Sequence, residues 1–83
     1  MKFTVVWKSA AERQLADIWL EATDRQAITS ASEAIESALA TRPEELGESR
    51  PLDCRLAFVD PLAVTFRVTA ADRLVEVLSV RSI

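Results

Sequence analysis

The stretch Phe3-Thr4-Val5-Val6-Trp7-Lys8-Ser9-Ala10-Ala11-Glu12 decides the fold, because its period changes in the middle. Phe3, Val5 and Trp7 alternate with Thr4, Val6 and Lys8. Period two with β-branched residues is a strand. Ser9 and Glu12 have the spacing of a capping box, in which the Ser9 hydroxyl accepts from the N–H at position 12 and Glu12 reaches back. The pattern predicts a strand over Lys2–Lys8 that turns directly into a helix over Ala10–Ala22.

Working outward, Ala11, Leu15, Ile18, Trp19 and Ala22 fall on one helical face, with Arg13, Gln14, Asp17 and Glu21 on the other. Thr23-Asp24-Arg25-Gln26 reads as a second capping box, so a second helix over Asp24–Thr41 follows after a very short turn. The pair is an antiparallel hairpin. Ile28, Ala31, Ile35, Ala38 and Leu39 form its stripe, with the small Ala27 and Ala34 beside it allowing close approach. Pro43 stops it. Glu44–Pro51 is the main loop and holds the only glycine, Gly47. Three strands are predicted beyond it, over Leu52–Val59, Leu62–Ala70 and Leu74–Ser82. They are separated by the turn signals Asp60-Pro61 and Ala71-Asp72-Arg73. In the first, Leu52, Cys54, Leu56 and Phe58 read as the core phase, leaving Arg55 outward. In the second, Leu62, Val64, Phe66 and Val68 read inward and Arg67 outward. The last is apolar at both parities, as a central strand covered on both sides is. The expected architecture is α+β, in the order β-α-α-β-β-β, with a helical hairpin on a small, mainly antiparallel sheet.

The 83 residues fit one domain over positions 1–83. Half the chain is apolar and 28% charged, as in a folded protein and not a disordered one. No apolar run approaches the ~20 residues of a membrane span. There is no basic, then apolar, leader pattern after Met1, and the lone Cys54 has no partner for a disulfide. Both readings fit a reducing, cytoplasmic setting. The net charge is −3, with nine acids and five bases over residues 1–48 and four acids and five bases over residues 49–83. Acid therefore sits on the helices and arginine on the sheet.

Absences bound the chemistry. With no histidine, a Ser-His-Asp triad and a Cys-His pair are excluded, and one cysteine without histidine removes the usual zinc sites. One glycine cannot make a phosphate-binding loop. No metal and no cofactor is expected. The acid pairs Asp17/Glu21 and Glu33/Glu36 read as solvated helix faces rather than acid–base dyads. Trp7 and Trp19 read as core, with base stacking as the other use of an indole. Cys54 reads as a small core side chain. The remaining candidates are Lys8, Arg55, Arg67 and Arg81, with Arg50 at the loop mouth. Arg55 and Arg67 are expected on one sheet face, where this set lines an anion-binding groove and stabilises a phosphate transition state. Ion pairing with Asp53, Asp60 and Glu76 is the competing use. An open sheet face and two free edges also invite a protein partner.

These residues resemble a known family. Phe3-Thr4-Val5-Val6-Trp7-Lys8-Ser9-Ala10 with Leu15 and Ile18 is similar to the opening of toxins of the RelE/ParE superfamily. So are Arg25-Gln26-Ala27-Ile28 with Ala31, Ile35 and Leu39, and the helix end before Pro43 and Gly47. Ala63-Val64-Thr65-Phe66-Arg67-Val68 looks like its third-strand motif, although Ala63 stands where an arginine usually opens it. Leu74–Val80 resembles its last strand. The resemblance spans nearly the whole chain and implies a toxin of a type II toxin–antitoxin system, neutralised by a small antitoxin that wraps it. Members cleave messenger RNA on the ribosome or inhibit DNA gyrase. The negative charge here, and a tail of only Arg81-Ser82-Ile83, favour action by protein binding over RNA cleavage. A non-toxic module that self-associates, as a homodimer, is the third reading.

Overall fold

A computed structural model describes residues 2–83. Its order is β1 (Thr4–Trp7), α1 (Ser9–Glu21), α2 (Arg25–Thr41), β2 (Glu48–Arg50), β3 (Cys54–Val59), β4 (Leu62–Thr69) and β5 (Leu74–Ser82). The five strands make one sheet in the order β1-β5-β4-β3-β2. Only β1 and β5 pair in parallel, and the chain between them is the long crossover such a pair needs, through both helices and then β2, β3 and β4. The α+β expectation of a helical hairpin on a mainly antiparallel sheet therefore holds. One strand is added: β2 forms within the expected loop, against β3. The expected start of β3 at Leu52 moves to Cys54, because Leu52 and Asp53 have φ of +64° and +61° and turn the chain there.

Both helix starts differ from the expected capping boxes. Lys8 is the N-cap of α1, with no side-chain cap bond, so Ser9 lies inside the helix. The Lys8 backbone carbonyl accepts from Glu12 N–H at 2.9 Å. Asp24, not Thr23, caps α2, its carboxylate accepting from Ala27 N–H at 3.1 Å. A carboxylate at that place satisfies a donor and meets the positive end of the helix dipole.

The core lies between α2 and the sheet. Ile28, Ala31, Ile35 and Leu39 of α2 form one buried cluster with Val64 and Phe66 of β4 and Val75 and Val77 of β5. Each of the four strand residues is fully buried. α1 lies along β5; only its Ala11 is fully buried, with Leu15, Ile18 and Ala22 packed half-buried against the same cluster. Its Gln14 Oε1 accepts from Val80 N–H at 2.8 Å. β1 ends opposite Val77, so the edge of β5 beyond it lacks a strand, and Gln14 supplies the missing acceptor. A bulge in the β4–β5 ladder, where Thr65 faces Ser79 and the next residue, Phe66, faces Val77, brings Val80 onto the same buried side as Val75 and Val77.

β3 is inverted relative to its expected phase. The tight Asp60-Pro61 turn pairs Val59 with Leu62, Ala57 with Val64 and Arg55 with Phe66. Register fixes the face, so the buried residues of β4 carry Ala57, Val59 and Arg55 to the helix side. Cys54, Leu56 and Phe58 go to the open side, where Phe58 is 56% exposed. The Cβ-free Gly47, at φ +71°, lets the backbone rest on Leu56–Ala57; a Cβ there would meet Leu56 O at 2.2 Å.

Candidate functional site

Two surfaces carry the candidate side chains. The first is the open face of the sheet. Arg67 lies between Cys54 and Glu76 in its row, and Arg81 sits beside Ala63, which is buried. Lys8, just past β1, shares the parity of Thr4 and Val6, and its Nζ is 3.4 Å from Glu76 Oε2. Lys8, Arg67 and Arg81 thus share a face, in different rows. Arg50 is on this face too, with its Nη1 3.3 Å from Glu48 Oε2. Among the described residues these two are the only ion pairs, so Asp53 and Asp60 do not engage the arginines as expected.

Arg55 is not on that surface. Its position opposite Phe66 turns it to the helix side, where it ties down the segment before β2. Nε donates to Leu46 O at 2.8 Å, Nη2 to Gly47 O at 3.0 Å and Nη1 to Ser49 Oγ at 3.1 Å. The planar fork of the guanidinium suits three diverging acceptors, a structural duty. Cys54 is likewise outside the core: it is half-buried on the open face, with Sγ 3.6 Å from Leu52 O.

The second surface is a groove between α1 and α2 of ≈ 610 Å³. Its apolar lining is Trp7, Leu15, Trp19, Leu20 and Ile28. Trp19 is 38% exposed and Leu20 59%, which corrects the core expectation for Trp19. Both indoles are fixed. Trp7 Nε1 donates to Glu36 Oε1 at 2.9 Å, and Trp19 Nε1 to Thr29 Oγ1 at 3.2 Å. The Arg25 guanidinium stacks on Trp19, 4.6 Å from the ring centroid, while donating to the carbonyls of Trp19 and Leu20 at the end of α1. The rim carries Glu12 from α1 and Glu33 and Glu36 from α2. Glu33 and Glu36 therefore edge an apolar depression, where a plain solvated face is expected from the sequence.

No protein-family model matches the sequence, and no curated protein matches it. Solved structures do. A chain of the toxin–antitoxin complex RelBE2 of Mycobacterium tuberculosis is similar at a TM-score of 0.82 and 19% identity, over 100% of this chain and 93% of that one. A chain of the chromosomal ParDE toxin–antitoxin system of Pseudomonas aeruginosa is similar at 0.77 and 15% identity, over 99% and 97%.

The chain has the RelE/ParE toxin fold.

The same fold extends to a longer protein: TrmO of P. aeruginosa matches at 0.68 and 23% identity, over 98% of this chain but 36% of that one. On this RelE/ParE fold the sequence-expected cations divide, with Lys8, Arg67 and Arg81 on the open face and Arg55 beneath the sheet. The groove residues Leu20, Glu33 and Glu36 escaped the sequence reading as a site. One signal was there. Leu20 is a large apolar residue beside the α1 stripe, and the stripe itself includes the bulky Trp19, more apolar width than one small sheet covers.

Proposed function

We propose that this chain is the toxin-like member of a type II toxin–antitoxin pair, that it acts by binding protein, and that a small partner protein holds it inactive. The observation that carries this reading is the groove between α1 and α2. Two fixed indoles and two leucines line it, Trp19 and Leu20 are substantially exposed, and its volume exceeds that of any single side chain. Large exposed apolar surface with a polar rim is characteristic of a protein-binding site. The likeness to RelBE2 and ParDE toxin–antitoxin structures supports a toxin role on the level of fold. No helix of the described chain is long and apolar enough to cross a membrane.

The test is co-expression with the product of an adjacent short reading frame. Co-purification, with growth arrested by this chain alone and restored by the pair, is the expected result. Growth unaffected and no associated product would remove the proposal. A supercoiling assay with purified DNA gyrase then asks whether the bound target is gyrase.

A second reading rests on Lys8, Arg67 and Arg81 sharing the open face. There they form the anion-binding side of a metal-independent RNA endonuclease acting on ribosome-bound message. One transition-state donor contributes about 10²-fold or more, so Arg67→Ala should abolish visible cleavage. Two features favour the first reading. Lys8 is paired with Glu76, and the cations lie in separate rows of the sheet. Intact ribosome-bound message in the presence of the native chain would exclude the endonuclease.

A further inference from the structure

The rim of the groove carries acidic charge on both walls, and that sign specifies its occupant. Glu12 stands on the α1 side, Glu33 and Glu36 on the α2 side, and among the described residues none of the three is in an ion pair. Of the nearby cations, Lys2 lies in the adjoining depression, and Arg25 is stacked on Trp19 and bonded to two carbonyls.

We infer that the groove takes a basic amphipathic helix of the partner protein, with aliphatic residues one turn apart on the Trp7–Leu15–Leu20 floor and Lys or Arg flanks facing Glu12, Glu33 and Glu36. The inference rests on the reading that the chain has a protein partner and adds the chemistry of the segment that binds.

Shape and charge both carry it. Glu33 and Glu36 also border a second depression of ≈ 290 Å³ with Lys2, Ser37 and Thr41, so the concave surface extends along α2 on both sides of the two carboxylates. A surface that follows the 17-residue α2, roughly 25 Å long, matches a helix laid against it better than a single inserted side chain. A partner bearing carboxylates would set like charges together on both walls, which costs affinity and slows encounter. The same repulsion rules against a second copy of this chain docking through its own helices, because their outer faces bear Glu12, Asp17, Glu21, Glu33 and Glu36. Opposite charge on a polar rim acts on encounter and selectivity, while the apolar floor supplies the affinity.

The experiment titrates the full chain with two synthetic peptides of about 15 residues, long enough to be helical when bound. Both have leucines at helical spacing; one has lysine flanks and the other glutamate flanks. The fluorescence of Trp7 and Trp19, the two tryptophans of the chain, reads binding. The lysine peptide is expected to bind at least about tenfold more tightly at low salt, the gap closing as the Debye length shrinks below about 10 Å. Glu12→Gln with Glu33→Gln should weaken it about threefold to tenfold at unchanged circular dichroism. Leu20→Asp, at an exposed position, should lose binding altogether. Equal binding of both peptides, binding of neither, or undiminished binding to the Leu20→Asp chain would overturn the inference. A co-purifying partner that seats an acidic segment in the groove would also overturn it while leaving the proposed function intact. Tight lysine-peptide binding with no partner found would do the reverse.

Discussion

The Trp7 indole N–H donates to Glu36 Oε1 at 2.9 Å, joining the last residue of β1 to the middle of α2. One bond thus fixes an aromatic wall of the groove and one of its acidic groups together. Glu36→Ala should cost about 0.5–1 kcal/mol in urea denaturation, at the low end for a hydrogen bond because this one is exposed. The Trp7 indole resonance should move, and Glu36→Gln, which keeps an acceptor, should largely restore both. An unchanged indole signal in Glu36→Ala would show that the bond does not persist in solution.

Arg55 and Arg67 should behave oppositely. Arg55 gives three N–H bonds to the segment before and within β2, so Arg55→Met should destabilise by about 2–3 kcal/mol. Arg67 makes no ion pair among the described residues and stands on the open face, so Arg67→Ala should stay within about 0.5 kcal/mol of the native chain. Denaturant midpoints compare the two directly. A large loss in Arg67→Ala alone would reverse the structural assignment.

Gly47→Ala should be among the most damaging single changes. It combines a left-handed backbone at φ +71° with a Cβ placed 2.2 Å from a carbonyl oxygen of β3. Backbone must move to accept it, and a loss of about 2–4 kcal/mol takes much of the stability of so small a chain. Thermal melting by circular dichroism would show a transition lowered by many degrees or absent.

Gln14 supplies the acceptor that β1 is too short to provide. Gln14→Ala leaves the Val80 N–H without its partner at a half-buried site, which should cost about 1–2 kcal/mol. Amide exchange at Val80 should accelerate more than at Val75, which keeps its strand neighbours on both sides.

Much of this molecule could be read before its coordinates. The period change at Trp7-Lys8-Ser9, the stripe Ile28-Ala31-Ile35-Leu39 and the inward phase of Leu62, Val64 and Phe66 are local patterns, and each sits as expected. The phase of β3 was not local. By composition Cys54, Leu56 and Phe58 look like the core side, but the Asp60-Pro61 turn and the stronger strand β4 decide the register. That one inversion moved Arg55 away from Arg67 and Cys54 out of the core. β2 escaped because three charged or polar residues, Glu48-Ser49-Arg50, have no strand pattern and form only against a neighbour. The groove escaped for a related reason. An apolar stripe shows which side of a helix avoids water, not whether the fold has enough sheet to cover it, and α1 is left partly uncovered at Trp19 and Leu20.

The central claim is that the partner seats between the helices and not on the open sheet. Both tryptophans of the chain line the groove, so two indole N–H resonances report on it. Labelled chain should be titrated with the product of the adjacent short reading frame while the indole and backbone amide signals are followed. The account predicts that both indole signals and the amides around Leu15–Leu20 and Ile28–Glu36 shift, with those of Arg67 and Arg81 nearly still. Stationary indoles with shifts concentrated on β3 and β4 would contradict it.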